Sequence, residues 1–362
     1  MKQEIIDYLV KDGITHGLDM YTSAKRSFID NFYNIILKDR DLDYKIQFCG
    51  STGANAVEAA LKLARKVKKR SGIFSFMGAF HGMSLGALSA TSNSECREGA
   101  GLELNNVTFI PHPSMFKNEF DTIEYINAIL NDSHSGISKP AAIILETIQA
   151  EGGINVVSEE WLVRLANVCK EEDILLICDE IQVGCGRTGT FFSFEDTGIK
   201  PDIVVLSKSI SGYGLPMSIL LMEPSLDIWK PAEHNGTFRG NQLAFVGARA
   251  ALEYWKDDQF VKELKEKEKF ITEFFINKIQ TISLKIKIRG RGMIWGIDLT
   301  DYCTPEQAKL ITLECYNNGL IIERCGRKDL VIKILPALTI DMELLEEGLR
   351  ILQKSLKIIN KE

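Results

Sequence analysis

Short apolar segments alternate with amphipathic segments along most of the chain, and this alternation constrains the fold more strongly than any other feature. A strand that is apolar at every position is covered on both faces, and helices between such strands indicate a parallel sheet. The candidate strands are Ile73–Met77, Val107–Ile110, Ala141–Glu146, Ile174–Asp179, Ile203–Ser207 and Met217–Met222. The candidate helices between them are Asn55–Lys68, Asp121–Leu130 and Ser158–Lys170. The sequence therefore predicts an α/β fold in which helices sandwich a mostly parallel sheet.

The pattern changes towards the C-terminus. Asn241–Gln280 is predicted to be largely helical and to link the large sheet to a second unit. In that unit the candidate strands are Lys285–Ile288, Met293–Leu299, Leu320–Arg324 and Val331–Leu335, and the candidate helices are Pro305–Asn317 and Asp341–Lys357. We therefore predict an N-terminal segment at residues 1–35, a large domain at residues 36–268 and a smaller C-terminal α+β domain at residues 269–362.

Composition and charge exclude several classes of protein. The net charge of -6 provides no basic field for nucleic acid, and no apolar run reaches the ~18 residues of a membrane helix. The eight cysteines include no CxxC pair and the five histidines show no metal-ligand spacing, so we predict reduced cysteines and no metal site. Residues Met1–Glu4 do not introduce the apolar stretch of a signal peptide. We therefore predict a cytoplasmic protein without nucleic-acid or membrane partners.

A group of small residues precedes the first strongly helical segment. Thr52, Gly53 and Ala54 stand directly before Asn55 and the helical pattern that follows it. Small side chains let free backbone N–H groups at a helix start approach a phosphate, and the helix dipole favours the anion. The alternative is a capped helix without a ligand.

Two chemically active side chains stand at the carboxyl ends of neighbouring candidate strands. Asp179 ends one apolar strand, at the position where α/β sheets bind ligands, and it could hold a protonated pyridine nitrogen. An N-cap, or a partner for a core arginine, is the alternative for Asp179. Lys208 follows the next strand and is flanked by small residues. Partial burial would lower the pKa of Lys208 and favour the neutral amine that reacts with an aldehyde.

The stretch Gly184–Gly189 fits the GxGxxG pattern of nicotinamide-dinucleotide sites. Such a site needs the glycines in the turn between a strand and a helix. Here Asp179–Val183 intervenes, and the following Thr190–Phe194 is aromatic and is predicted to be β-like. A nicotinamide-dependent oxidoreductase is therefore the weaker hypothesis, and binding of the reduced cofactor would test it.

Taken together, these segments resemble the class III (omega) aminotransferases. The most specific stretch, Cys178–Gly189, resembles the family's DEIQxGxGRTG, and Leu206–Ile210 resembles its lysine motif. The resemblance extends from about residue 13 to residue 340. It implies the PLP-dependent transferase fold type I, with pyridoxal 5'-phosphate as the cofactor.

The resemblance also implies roles for individual side chains. Lys208 would be the Schiff-base lysine, and Asp179 would pair with the nitrogen of the cofactor ring. Gln182 would contact the ring hydroxyl, and Ile181 would pack on one face of the ring.

Three further segments resemble motifs of the family. Phe80 and His81 belong to a Phe-His-Gly motif, which implies that Phe80 stacks on the opposite face of the ring. The turn formed by Thr52, Gly53 and Ala54 matches the phosphate-binding turn of the family. Thr237 lies in a segment that resembles the family segment whose threonine reaches the phosphate of the partner subunit; without the resemblance it would be interpreted as an ordinary loop residue. The resemblance therefore implies a homodimer or a dimer of dimers.

Within the family, three longer phrases resemble the members that belong to ectoine biosynthesis. They lie at Asp12–Met20, Gln149–Asn155 and Trp229–Thr237. This resemblance implies that an amino group moves from the amino acid glutamate to the aldehyde aspartate 4-semialdehyde, giving the 2-oxo acid 2-oxoglutarate and 2,4-diaminobutyrate. Two alternatives stay open: an omega-aminotransferase of the ornithine, GABA or diamine type, and a non-catalytic protein of the same fold.

The chain departs from the family pattern at two places. Family members usually carry several dozen residues before the position of Met1, so residues 1–35 are expected to be a shortened N-terminal segment. Many members bind a substrate carboxylate with an arginine where this chain has Lys333, and lysine lacks the bidentate fork of arginine. The family counterpart of Glu151 pairs with that arginine. We therefore expect Glu151 and Lys333 to bind substrate; a structural acid and a solvated lysine are the alternatives.

Overall fold

The computed structural model describes residues 1–116 and 120–358. The strands are β1 (Lys45–Phe48), β2 (Ile73–Phe76), β3 (Val107–Ile110), β4 (Ala142–Leu145), β5 (Ile148–Gln149), β6 (Asn155–Val156), β7 (Leu175–Asp179), β8 (Ile203–Leu206), β9 (Ile219–Met222), β10 (Lys287–Arg291), β11 (Ile294–Asp298), β12 (Glu323–Cys325) and β13 (Val331–Ile334). The α-helices are α1 (Lys2–Val10), α2 (Ser23–Asn31), α3 (Gly53–Lys68), α4 (Leu85–Ala90), α5 (Ser94–Glu98), α6 (Thr122–Asn131), α7 (Glu159–Glu171), α8 (Gln242–Leu252), α9 (Gln259–Phe274), α10 (Pro305–Asn317) and α11 (Met342–Leu356).

A seven-stranded sheet forms the centre of the larger layer, with the strand order β1-β9-β8-β7-β4-β2-β3. Strands β3, β2, β4, β7 and β8 run parallel, whereas β9 is antiparallel to both of its neighbours. The prediction of a mostly parallel sheet is confirmed. Strand β1 was not predicted, because its first residue is exposed and only its last is buried, so it lacks a continuous apolar run.

Both faces of this sheet are buried, as the apolar strands require. In β8, Ile203 and Val205 pack on the same face as the apolar side of α3, whereas Val204 and Leu206 belong to the core on the opposite face. That second core includes Phe28 of α2 and residues of α7 and α8. Because side chains alternate along a strand, only a sheet between two helical layers buries all four residues of β8.

The smaller layer is a four-stranded antiparallel sheet with the order β10-β11-β13-β12. Residues of α9, α10 and α11 form one hydrophobic core with this sheet. The predicted C-terminal α+β unit is therefore present, and its boundary at residue 268 stays a prediction. The prediction for Leu320–Arg324 is partly wrong, because β12 begins only at Glu323, after Leu320 and Ile322 have packed against the core without ladder partners.

The β-like interpretation of Thr190–Phe194 is wrong. This segment consists of turns, and Phe191, Phe192 and Phe194 are buried among other aromatic rings. The aromatic pattern reflects burial of a tight loop in the core and not a strand.

The carboxyl ends of the central strands meet at one edge of the large sheet. Strand β4 is followed by Glu146, β7 ends on Asp179, and β8 is followed by Ser207 and Lys208. In α/β proteins this edge binds ligands. Among residues 1–116 and 120–358, no helix is long and apolar enough to cross a membrane.

Candidate active site

Lys208 stands on a sharp turn directly after β8. Its backbone has a φ of 51°, a left-handed conformation that costs a lysine energy and is typical of residues held in place for function. The preceding Ser207 donates a hydrogen bond from Oγ to the carbonyl of Met217 at 2.9 Å, which ties the turn to the incoming strand β9. The side chain of Lys208 is open to a cavity of about 670 Å³ that Thr52 and Gly53 also line.

The electrostatic surroundings of Lys208 favour the neutral amine. Desolvation lowers the pKa of Lys208 below its ordinary value, although the negative charges of Glu151 and Asp179 oppose this effect. The positive charge of Lys333 lowers the pKa further. A lysine with a lowered pKa has a larger fraction of the nucleophilic amine near neutral pH.

Asp179 is buried and accepts one hydrogen bond on each carboxylate oxygen. Its Oδ2 lies 2.7 Å from Nδ1 of His81, and its Oδ1 accepts the backbone N–H of Ile181 at 3.1 Å. Each oxygen keeps a lone pair beyond these hydrogen bonds. Asp179 can therefore accept a further N–H from a ring nitrogen.

His81 is fully buried beside Asp179. Burial alone lowers the pKa of His81, but the hydrogen bond and charge of Asp179, together with the charge of Glu146, raise it above its ordinary value. Its backbone N–H donates to Oγ1 of Thr91 at 2.9 Å, which fixes the ring next to Asp179. His81 is thus held as a proton donor to the carboxylate.

The start of α3 has the features of a phosphate-binding turn. In the described part of the chain, the N–H groups of Gly53 and Ala54 donate to no other residue. They begin α3, which is 16 residues long. A Cβ added at Gly53 would lie 2.7 Å from Cδ1 of Ile181, so any side chain would close the approach to the helix start. Gly53, at the free helix start, and Lys208 line the same cavity. A helix start that can bind phosphate beside a lysine that can bind an aldehyde fits pyridoxal 5'-phosphate.

A second cluster of charged and polar side chains surrounds Glu151, which lies on the loop between β5 and β6. Nζ of Lys333 lies 2.7 Å from Oε1 of Glu151, and Nε2 of Gln182 donates to the same oxygen at 3.0 Å. Burial raises the pKa of Glu151, but its hydrogen bonds to Lys333 and Gln182 outweigh this and lower it overall. Lys333 is only 7% exposed, so the solvated-lysine alternative is wrong.

Lys333 has a second carboxylate partner. Glu323 stands directly opposite Lys333 in the pairing of β12 with β13, and its Oε2 lies 3.2 Å from Nζ. Burial lowers the pKa of Lys333, but the hydrogen bond and charge of Glu151, with those of Glu323, raise it overall. Lys333 is therefore a charged ammonium group between two carboxylates.

The remaining predicted residues lie in two different places. Phe80 is half-buried, and its backbone N–H donates to Oε1 of Glu146 at 3.0 Å. Phe80 and Glu151 both line a second cavity of about 750 Å³. Thr237 is exposed on the loop after Trp229, outside the residues that line either cavity.

Two residues of this site were not predicted from sequence. Glu146 lies immediately after the apolar strand β4, where the same rule that selected Asp179 applies to it. Glu323 gave no sequence signal, because its contact depends on the register of β12 with β13. No group of three or more His, Cys, Asp or Glu side chains that could hold a metal ion occurs in the described ranges.

The fold and this arrangement of lysine, aspartate and phosphate turn define a class of protein, and the chain belongs to the class III aminotransferase family. The family model described as "Aminotransferase class-III" matches residues 15–356. Members of this family use pyridoxal phosphate.

Several proteins are similar to this chain over nearly its whole length. The diaminobutyrate--2-oxoglutarate transaminase of Bordetella parapertussis is 51% identical over 356 residues, which cover 98% of this chain and 81% of the relative. Proteins of the same name from Halalkalibacterium halodurans and Streptomyces avermitilis are 51% and 52% identical, and each match covers 99% of this chain and 84% of the relative.

Solved structures of aminotransferases share the fold. The taurine:2-oxoglutarate aminotransferase of Bifidobacterium kashiwanohense, in complex with PLP and glutamate, superposes with a TM-score of 0.87 at 22% identity and covers 99% of this chain and 85% of that chain. The ornithine aminotransferase of Toxoplasma gondii gives a TM-score of 0.84 at 24% identity and covers 99% and 82%. The prediction of transferase fold type I is confirmed.

Proposed function

We propose that the chain is an aminotransferase that moves the amino group of glutamate to aspartate 4-semialdehyde, giving 2-oxoglutarate and 2,4-diaminobutyrate. The observation that carries the proposal is the placement of Lys208 and Asp179 at the ends of adjacent strands, beside the free helix start at Gly53. The choice of substrates is supported by relatives that are about half identical over nearly the whole chain and are named diaminobutyrate--2-oxoglutarate transaminases.

Pyridoxal 5'-phosphate is the proposed cofactor, and it supplies an electron sink for the carbon that carries the amino group. Lys208 would hold its aldehyde and Asp179 its ring nitrogen. The turn of Thr52, Gly53 and Ala54 would hold its phosphate. Phe80 and Ile181 would enclose the ring, and Gln182 would contact its hydroxyl.

The residues of the chain divide the proton chemistry between them. Nζ of Lys208, whose pKa is lowered by desolvation, accepts the proton from the carbon that bears the amino group and later donates it as an acid. Asp179 would face the ring nitrogen, and His81 and the N–H of Ile181 orient its carboxylate by donating to it.

Glu151 and Lys333 are proposed to adapt the site to two different substrates. When glutamate enters, its carboxylate replaces Glu151 as the partner of Lys333. When the aldehyde enters, Glu151 pairs with Lys333 and prevents the carboxylate of the aldehyde substrate from binding there. Glu151 is one-third exposed and has one carboxylate oxygen without a hydrogen bond to a described side chain, so it can move more freely than Lys333.

A panel of amino donors and acceptors tests the proposed function. The purified protein with added pyridoxal 5'-phosphate is expected to form 2-oxoglutarate continuously only when glutamate and aspartate 4-semialdehyde are both present, because glutamate alone yields no more 2-oxoglutarate than there is cofactor to accept its amino group. Ornithine, GABA and a simple diamine serve as competing amino donors. A higher kcat/KM with one of these donors would replace the proposed substrate pair, and no transfer with any pair would favour the non-catalytic alternative.

The charge pair at Lys333 leads to a prediction about binding. Lys333→Met is expected to raise the KM for glutamate by about 10- to 100-fold, because a hydrogen bond to a charged group contributes about 1.5–3 kcal/mol. Lys333→Arg, which keeps the charge, is expected to retain most of the glutamate affinity. Steady-state kinetics with glutamate as the varied substrate would measure both, and an unchanged KM in Lys333→Met would contradict this role.

Glu151→Ala provides the complementary measurement. Without Glu151, Lys333 is free to bind any carboxylate, so the KM for glutamate should fall while kcat/KM for aspartate 4-semialdehyde should also fall. Wild-type kinetics for both substrates would assign Glu151 a structural role.

We further propose that the protein is at least a homodimer with shared active sites. Loop residue Phe238 is 77% exposed and stacks on His16 at 4.5 Å between ring centroids, and Met20 and Tyr21, which follow His16 closely in the chain, are also exposed. An exposed apolar patch of this kind is typical of a protein interface. Thr237 lies within this patch and is proposed to reach the phosphate site of the partner subunit.

Mixing two inactive variants tests the shared site. Lys208→Ala lacks the lysine but keeps Thr237, whereas Thr237→Ala lacks only the partner contact. Subunit exchange between them should rebuild one complete site in each mixed dimer, so activity at low cofactor concentration should exceed the mean of the two separate variants. If activity equals that mean although mass spectrometry detects mixed dimers, Thr237 does not act across the interface.

A further inference from the structure

Glu146 is a buried carboxyl group to which the mechanism above gives no role. It follows β4 and is only 5% exposed. Its Oε1 accepts the backbone N–H of Phe80 at 3.0 Å, and its Oε2 accepts the N–H of Ala150 at 3.3 Å. Glu146 takes part in no salt bridge with the residues that the structure describes. A buried acid without a cationic partner is costly, so its position needs an explanation.

The hydrogen bonds of Glu146 connect two parts of the site. Phe80 immediately precedes His81, whose imidazole contacts Asp179 at 2.7 Å. Ala150 immediately precedes Glu151, which contacts Lys333 at 2.7 Å. One carboxyl group therefore fixes the backbone that carries the partner of Asp179 and the backbone that carries the partner of Lys333.

The charged groups around Glu146 are also those of the site. Burial and the charge of Asp179 raise the pKa of Glu146 to about 7, while His81 opposes this increase. In turn, the charge of Glu146 raises the pKa of His81 and opposes the lowering of the pKa of Lys208. His81 lies in the loop after β2, Asp179 at the end of β7 and Lys208 in the turn after β8. Glu146 is therefore coupled to each element that carries the chemistry.

We propose that Glu146 is a positioning residue: by accepting the N–H of Phe80 it holds the Phe80–His81 backbone so that the imidazole of His81 contacts Asp179. This inference rests on the proposed function, in which Asp179 holds the ring nitrogen of the cofactor. His81 orients the carboxylate of Asp179 by donating a hydrogen bond to it. Glu146 therefore acts on the cofactor through His81 and Asp179 and not by contact.

The test measures His81 directly, in the full chain without and with pyridoxal 5'-phosphate. Histidines labelled with ¹⁵N are titrated by NMR, and His81 is assigned from its absence in His81→Gln. Glu146→Gln keeps the size of the side chain but removes the negative charge and one of the two acceptor oxygens, so the titration midpoint of His81 is expected to shift to lower pH. Affinity for pyridoxal 5'-phosphate, measured by absorbance, is expected to fall by about threefold to tenfold, as for loss of a typical hydrogen bond.

Glu180→Gln is the matched control. Glu180 is also a fully buried glutamate whose pKa is raised to about 7, but it accepts hydrogen bonds from the backbone and the hydroxyl of Ser193. Its charge is not among the causes of the raised pKa of His81. Glu180→Gln should therefore leave the His81 midpoint unchanged. A folded Glu146→Gln protein with the wild-type His81 midpoint would overturn the proposal, whatever its transaminase activity.

A wild-type measurement keeps the proposal testable if Glu146→Gln does not fold. Coupled groups titrate in steps that belong to the pair, so the His81 signal of the wild-type protein should show two steps, one of them coinciding with titration of a glutamate carboxyl group near pH 7. A single step with no matching carboxyl signal would contradict the coupling. Because neither NMR measurement involves amino transfer, failure here is distinguishable from failure of the proposed function.

Discussion

Replacing Lys208 with alanine is expected to abolish amino transfer, lowering kcat by about 10⁴-fold, the upper range for loss of a general acid–base group. The physical reason is that Nζ of Lys208 is the proposed carrier of the proton, and its pKa is lowered by burial for that task. The visible absorbance of lysine-bound cofactor should disappear as well. Steady-state kinetics and an absorbance spectrum of the purified variant measure both effects.

The control for this variant is a buried lysine of α9. Lys267 is 7% exposed, and its Nζ donates to the carbonyl of Leu338 at 2.8 Å in the smaller domain. Lys267→Ala should lose some stability and keep both the absorbance and the turnover. Full activity in Lys208→Ala would remove Lys208 from the mechanism.

Replacing Asp179 with asparagine is expected to preserve the fold and lower kcat by about 10²- to 10³-fold, the range for loss of one preorganised electrostatic contact. An amide cannot provide the negative charge that stabilises a protonated ring nitrogen. The same change removes the main cause that raises the pKa of His81, so the titration midpoint of His81 should move to lower pH. Kinetics and the NMR titration of His81 measure the two consequences.

Asp202→Asn is the matched control for this second variant. Asp202 stands at the opposite end of the neighbouring strand β8, where its Oδ2 accepts the N–H of Leu176 at 2.7 Å. Burial raises the pKa of Asp202 above its ordinary value. Its replacement should leave kcat near the wild-type value. An Asp179→Asn enzyme that is as fast as the Asp202→Asn enzyme would exclude Asp179 from catalysis.

The large sheet could be predicted from sequence because its central strands have an unambiguous signal. Strands such as β4 and β8 are apolar at every position, since both of their faces are covered. Their carboxyl ends are therefore visible in the sequence, and with them Asp179 and Lys208. The helix start at Gly53 was also predictable, because the small residues precede a long amphipathic pattern.

Contacts between distant segments could not be predicted from residue patterns. The pair of His81 and Asp179 joins residues 98 positions apart, and the pair of Glu151 and Lys333 joins residues 182 positions apart. Neither pair produces a local periodicity. The pairing of Glu151 with position 333 was suggested by family resemblance alone, and the role of Glu146 required the backbone contacts at Phe80 and Ala150.

The central claim is that Lys208 holds the aldehyde of the cofactor. Sodium borohydride converts a lysine-bound aldehyde into a stable amine, so the reduced protein can be digested and its peptides sequenced by mass spectrometry. We predict that the pyridoxyl phosphate group is attached to Lys208 and to no other lysine of the chain. Attachment to a different lysine, or no attachment in protein saturated with pyridoxal 5'-phosphate, would contradict the account.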